Sequence, residues 1–239
     1  MSSEKRHSSR APRLVVQFVT LAVCIATPIV GHFLAASAHQ TAIETAFLVS
    51  IHAAPAAVVA LSWLIAALFS PVASAVWIVI IAVAVLAVTK QWRPIAAHLA
   101  TVLVPLAYVL IIKQIVNRPR PDVGVTTPGD PSFPSGHVAA AVSVVALVLL
   151  VMRRVTHSAV AWTVGYAVAA AFVLCVATSR LILGVHFPTD VATSLVVCPL
   201  IIVSIAPLMQ RLFRVPGVGA AISERTADRG VGQEEAELS

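Results

Sequence analysis

The sequence predicts an all-α, polytopic membrane protein: a bundle of six transmembrane helices, with an outer-face amphipathic or re-entrant segment between the first two spans. Three observations carry that expectation. Of 239 residues, 59% are hydrophobic and 11% charged, and the mean hydropathy is +0.95. Soluble chains average about a quarter charged residues, which excludes a soluble enzyme, a disordered regulator and a nucleic-acid reader. The apolar residues also fall in runs long enough to cross a bilayer, and the few basic residues are shared unevenly among the breaks.

A hydrocarbon core of about 30 Å needs roughly 20 helical residues. Residues 1–13 form a basic N-terminal stretch, followed by the first span, Leu14–Ala36. Ala36-Ser37-Ala38 resembles a signal-peptidase site, but the run exceeds the roughly 7–15 apolar residues of a signal peptide, so an uncleaved span is expected. Thr41–His52 sets Ile43, Phe47 and Ile51 against Gln40, Glu44 and His52 at helical spacing, as a helix lying on the membrane surface would. Pro55–Phe69 is apolar but has only 15 residues, bounded by Pro55 and Ser70-Pro71, and suits a re-entrant or interfacial helix. Five further spans follow: Pro71–Thr89, Ile95–Val116, Ser135–Met152, Ser158–Thr178 and Val191–Met209. Residues 14–70 thus hold the first span and the interfacial segment, 71–210 a five-helix core, and 211–239 a disordered cytoplasmic tail. Cys24, Cys175 and Cys198 lie inside apolar runs, so no disulfide framework is expected.

With six spans, the breaks on the side of the N-terminus hold 12 of the 16 basic residues, among them Lys5, Arg13, Lys90, Arg93, Arg153 and Arg154. The positive-inside rule then puts both termini in the cytoplasm. A seventh span at Pro55–Phe69 would scatter this pattern. The expected location is therefore the cell membrane, multi-pass. Three Lys against 13 Arg, with heavy Ala and Val usage, points to a GC-rich bacterial genome.

Four basic residues remain on the other side, and charge kept near a membrane without a topological reason marks function. One break reads Lys113-Gln-Ile-Val-Asn-Arg118-Pro-Arg120-Pro-Asp122, with Phe133-Pro-Ser135-Gly136-His137 beginning 11 residues after Asp122. The next break on that side reads Ser179-Arg180, then His186, Pro188 and Asp190. Lys113 lies 18 residues into its span, about 27 Å from its start and so near the outer interface. Lys113, Arg120 and Arg180 form a cation cluster suited to a multiply charged anion, and Arg forks fit phosphate oxygens. Ser135 is placed to N-cap the fourth span, Gly136 lets backbone approach closely, and a helix N-terminus is itself an anion site. Asp190, four residues after His186, can hold one ring nitrogen and leave the other as a nucleophile. His137 can act as general acid toward the leaving group. The outward acids, Glu44, Asp122, Asp130 and Asp190, are too few for a two-metal site, so phosphoryl transfer without metal or cofactor is expected.

These blocks resemble the signature of the type 2 phosphatidic acid phosphatase superfamily, whose haloperoxidase-like pattern has three ordered parts. A Lys stands seven before an Arg-Pro, met by Lys113 and Arg120-Pro121. Pro-Ser-Gly-His is met by Pro134-Ser135-Gly136-His137. Ser-Arg, with His six after the Arg and Asp four later, is met by Ser179-Arg180, His186 and Asp190. The resemblance runs from about Pro71 to Met209. It implies that His186 attacks phosphorus and becomes phospho-histidine, that Asp190 orients it, and that His137 protonates the leaving oxygen. It implies phosphate contacts from Lys113, Arg120, Ser135, Gly136 and Arg180, a site at the outer membrane face, and lipid phosphates or diphosphates as substrates.

Arg118 stays open between an interfacial anchor and a substrate contact, and Asp122 is read as capping the turn after Pro121. The remaining histidines match no motif and are read as structural. The expected activity is hydrolysis of a polyprenyl or glycerolipid phosphate, with membrane lipids and the lipid phosphate as partners. The alternatives are a lipid phosphotransferase using the same intermediate and a non-enzymatic anion transporter; the latter needs charges through the bundle, which the span interiors lack.

Overall fold

A computed structural model of the chain describes residues 11–124 and 130–214. The basic stretch before residue 11 and the tail from residue 215 onward lie outside the described residues. Eight α-helices follow in order, with no strand among the described residues: α1 Ala11–Ala36, α2 Ala38–His52, α3 Ala56–Leu68, α4 Pro71–Thr89, α5 Trp92–Val116, α6 Gly136–Val155, α7 Ala159–Ile182 and α8 Pro188–Leu212. Six of them (α1 and α4 to α8) are long and apolar enough to cross a membrane. The protein is an all-helical, multi-pass membrane protein.

Local chemistry sets the helix ends. Ser70 and Ser158 each accept a backbone N–H three residues on, from Ala73 and Ala161, which caps α4 and α7. Pro71 and Pro188 occupy first-turn positions, where their missing N–H is no loss. Asn117 ends α5 in the left-handed region at φ 48°, a conformation Asn tolerates better than most residues, and turns the chain toward Arg118.

The centre is α6. Its first turns, Val138 to Val142, are buried throughout, whereas α7 buries residues only from Val173 onward. Ala139, Ala140 and Ala141 let α4, α5, α7 and α8 close around α6. Large apolar residues point outward instead, with Val72 77% and Val88 84% exposed, as suits lipid rather than water. α1 packs on α5 and α8, and at Gly31 a Cβ would stand 2.6 Å from the Phe133 ring.

α2 and α3 are joined with a bend of 114°, the shape of a broken span or of the re-entrant loop that the sequence allowed. The structure departs from the sequence expectation in two places. α2 does not turn Glu44 to water: Glu44 and Leu48 are its buried residues, 3% and 0% exposed. A single charge in an apolar segment reads as water-facing by periodicity, but here a buried cation opposite overrides that. Finally, α7 runs one turn beyond Thr178, so Ser179 and Arg180 belong to a helix rather than a loop; both are buried.

Candidate active site

The motif residues meet at one end of the bundle. Lys113 and Arg180 sit in the last turns of α5 and α7, Gly136 and His137 open α6, and Asp190 is the third residue of α8. Arg120 comes from the segment after α5, and His186 from the turn joining α7 to α8. That turn needs Gly184, at φ 62°, a region costly to other residues.

His186 is 1% exposed. Its Nδ1 lies 3.5 Å from Asp190 Oδ2, and its Nε2 lies 3.5 Å from an Arg120 guanidinium nitrogen. The two ring nitrogens therefore face different groups: Nδ1 the Asp190 carboxylate, Nε2 the Arg120 guanidinium. Burial pushes the imidazole down to about 4; Asp190 works against this, and Arg120 and Lys113 reinforce it. The ring is neutral near pH 7, as a nitrogen nucleophile must be. Asp190, fully buried, accepts the Phe187 N–H at 2.9 Å on Oδ2 and Arg118 at 2.8 Å on Oδ1.

Three cations, Lys113, Arg120 and Arg180, are half-buried or buried at this end of the bundle. Arg120 donates to the Val185 carbonyl at 2.7 Å and to the Asp130 carbonyl at 3.1 Å, and pairs with the Asp130 carboxylate. Lys113 donates to the Pro131 carbonyl and lies 3.6 Å from Asp130 Oδ1. Burial works against the charge on Asp130, but Lys113 and Arg120 hold its carboxyl below the usual carboxylate range. Arg180 is 4% exposed, and its Nε and Nη2 have no hydrogen-bond partner in the protein. Buried guanidinium donors without partners are uncommon, and an oxyanion satisfies them.

Ser135 holds the N-cap position of α6, but its Oγ makes no capping bond and is buried without a partner. The expectation of a side-chain cap fails because Ser135 is held through its backbone: its N–H reaches the Asp190 carbonyl at 3.2 Å, and its carbonyl accepts Ser194 Oγ at 3.0 Å. A Cβ at Gly136 would lie 3.7 Å from Lys113 Cε, ordinary contact distance. His137 is half-buried, with the Ala66 backbone of α3 and the groups of Arg180, His186 and Arg120 as its neighbours. Asp122 is exposed.

Arg118 is engaged within the protein. It is 1% exposed, donates to Thr189 Oγ1 and Asp190 Oδ1 at 2.8 Å each and to Glu44 Oε2 at 2.7 Å, and lies 4.0 Å over the Phe187 ring. Sequence reasoning missed the role of Glu44 in this network, although Glu44 was visible as the one acid of residues 37–70, a stretch without Lys or Arg. Gly124 was missed too: a Cβ there would stand 2.0 Å from the Leu183 carbonyl oxygen. Among the described residues, no three His, Cys, Asp or Glu side chains are grouped to hold a metal ion.

Comparison with known proteins places the chain in a family. The family model of the PAP2 superfamily matches residues 94–214. The chain is 38% identical over 125 residues to the decaprenylphosphoryl-5-phosphoribose phosphatase of Mycolicibacterium smegmatis, covering 50% of this chain and 63% of that protein. The protein of the same name from Mycobacterium tuberculosis is 36% identical over 121 residues, 48% of this chain and 62% of that one. The chain thus spans under two thirds of the length of these curated relatives. The crystal structure of a transmembrane PAP2 type phosphatidylglycerolphosphate phosphatase from Bacillus subtilis shares the fold, with a TM-score of 0.66 at 21% identity over 85% of this chain and 98% of that one.

Proposed function

The chain belongs to the PAP2 superfamily, and on that premise we propose that it is a membrane phosphatase that hydrolyses a lipid phosphate or diphosphate through a phospho-histidine at His186. One observation carries this reading: a buried, neutral His186 with Nδ1 toward Asp190 and Nε2 toward the Arg120 guanidinium.

In the first step the Nε2 lone pair attacks phosphorus while the bond from phosphorus to the lipid oxygen breaks, and that oxygen takes a proton from His137. Asp190, whose Oδ2 lies 3.5 Å from Nδ1, stabilises the positive charge that develops on the ring. Lys113, Arg120, Arg180, Ser135 Oγ and the α6 N-terminus around Gly136 hold the non-bridging oxygens, whose charge they meet in a water-poor setting. Then water attacks the phospho-histidine, His137 takes its proton, the N–P bond breaks, and inorganic phosphate leaves. The three cations supply the charge compensation that a metal ion gives elsewhere, so the reaction needs none.

A lipid substrate is supported by an open groove of about 850 Å³ between the end of α1 and α2, lined by residues such as Ala36, Ala42, Ala46 and Val49. It also borders Pro119, the residue between Arg118 and Arg120. The relatives named for a decaprenyl-linked compound favour a polyprenyl carrier as that lipid. The distribution of basic residues supports an extracytoplasmic site in the cell membrane with both termini inside.

The test is phosphate release from detergent-solubilised polyprenyl phosphate, with and without chelator. The protein should release inorganic phosphate in both conditions, and His186→Ala should release none. Retained activity in that variant, or full inhibition by chelator, would overturn the mechanism. Transfer to an added acceptor alcohol without free phosphate would make it a phosphotransferase.

A further inference from the structure

The Glu44–Arg118–Asp190 network has no part in holding phosphate, yet it is among the most deeply buried polar features of the chain. We propose that Arg118 and Glu44 are positioning residues for the reaction: Arg118 locks the Asp190 carboxylate, which sets the ring orientation and tautomer of His186, and Glu44 holds Arg118 in place. The proposal rests on the reading of His186 as the nucleophile.

Both terminal nitrogens of Arg118 are engaged inside the protein, on Glu44, Thr189 and Asp190. Its guanidinium lies 4.0 Å over the Phe187 ring, whose backbone N–H is the other partner of Asp190. Asp190 is thus gripped at both oxygens, Oδ1 by Arg118 and Oδ2 by the Phe187 N–H, and cannot rotate without breaking one bond. That grip matters because the His186–Asp190 contact is 3.5 Å, too long to fix the ring by itself. A static carboxylate still presents a fixed negative edge to Nδ1, favouring the proton there and the lone pair on Nε2. Glu44 closes the network from a different element: Oε2 accepts Arg118 and Oε1 accepts the Thr189 N–H at 2.8 Å. α2 is thereby fastened to the first turn of α8. The exposures of Glu44, Arg118 and Asp190 are 3%, 1% and 0%, so removing Arg118 leaves two buried carboxylates without their shared counterion.

Four full-length variants in detergent test this: His186→Ala, Asp190→Asn, Arg118→Lys and the isosteric Glu44→Gln. Phosphate release by wild type and its loss in His186→Ala decide the underlying reading separately. Arg118→Lys should lower kcat by about 10- to 100-fold with KM changed less than about threefold, since it acts on the chemical step and not on phosphate binding. In the Asp190→Asn background the same change should lower kcat by less than about threefold more, the non-additivity expected of a shared device. A loss carried by KM, or one that multiplies in full in the double variant, overturns the proposal. A readout without turnover stands beside it: ¹⁵N ring signals of His186, identified by their absence in His186→Ala. Wild type should show the Nδ1-protonated ring, and Arg118→Lys and Glu44→Gln a mixture of tautomers. Should Arg118→Lys fail to fold, Glu44→Gln carries the same measurements. Unchanged His186 signals in a folded variant overturn the proposal whether or not a substrate has been found.

Discussion

Gly124 and Gly184 meet backbone to backbone: a Cβ on Gly184 would stand 3.0 Å from the Gly124 nitrogen, and one on Gly124 would stand 2.9 Å from the Gly184 carbonyl carbon. The segment carrying Arg120 and the turn carrying His186 are joined at this contact, and a side chain at either position forces them apart. Gly124→Ala and Gly184→Ala should each cut phosphate release at least about tenfold and lower the thermal midpoint, the second also through a left-handed strain of about 1–2 kcal/mol. Full activity in Gly124→Ala would show that the contact does not set the site.

Asp130 stands on Lys113 and Arg120, two of the cations assigned to the phosphate, and its side chain is half exposed. Substrate oxygens and this carboxylate compete for the same donors. An ion pair this open contributes about 0–1 kcal/mol, so Asp130→Asn should lower KM for lipid phosphate, and Ki for inorganic phosphate, by up to about fivefold. An unchanged Ki would place the phosphate elsewhere.

Because the folded pKa of His186 is about 4, below the roughly 6.5 of a free histidine, the unfolded chain binds the extra proton first. The contribution of this residue to stability therefore falls as pH drops from about 6.5 toward 4 and is flat above that window. A ¹⁵N titration should find the His186 ring neutral at pH 6. In Arg120→Gln, which removes one of the cations depressing it, the titration should move upward. A wild-type midpoint near 6.5 would contradict the geometry.

Ala42 and Ala46 line the groove beside Pro119 and are exposed. Ala42→Phe fills it without touching the motif residues. KM for a polyprenyl phosphate should rise about tenfold, the equivalent of about 1.4 kcal/mol, while a short-chain soluble phosphate ester is turned over as before. Equal effects on both substrates would assign the lipid chain to another face.

Much of this was readable in the chain itself, for identifiable reasons. Spans announce themselves because lipid tolerates only apolar faces, and the motif spacing kept Lys113, Arg120, His137, Arg180, His186 and Asp190 at span ends on one side, where the fold gathers them. What escaped depends on pairs far apart in sequence. Glu44 looked water-facing because nothing within a helical turn neutralises it; its cation is Arg118, 74 residues on. Arg118 was ambiguous for the same reason, one of two arginines two residues apart that take different partners, Glu44 and Asp190 for Arg118 and Asp130 for Arg120. Gly124 looked like an ordinary turn glycine until Leu183 and Gly184 were seen against it. Arg180 was assigned to a loop because an apolar count stops at charge, whereas backbone hydrogen bonding continues through it.

The place of Gly31 against Phe133 bears on what counts as the smallest working protein. The family match begins at residue 94, well after α1, and α1 donates no polar group to the site. Yet the Phe133 ring, directly before Pro134-Ser135-Gly136-His137, is fully buried in a cluster with Leu34, Ile112 and Val116. A shortened chain lacking α1 would keep every motif and lose the wall against which the central one is set. Motif and mechanics draw the boundary differently here: the segment the family model matches is smaller than the portion that sets its residues where they stand.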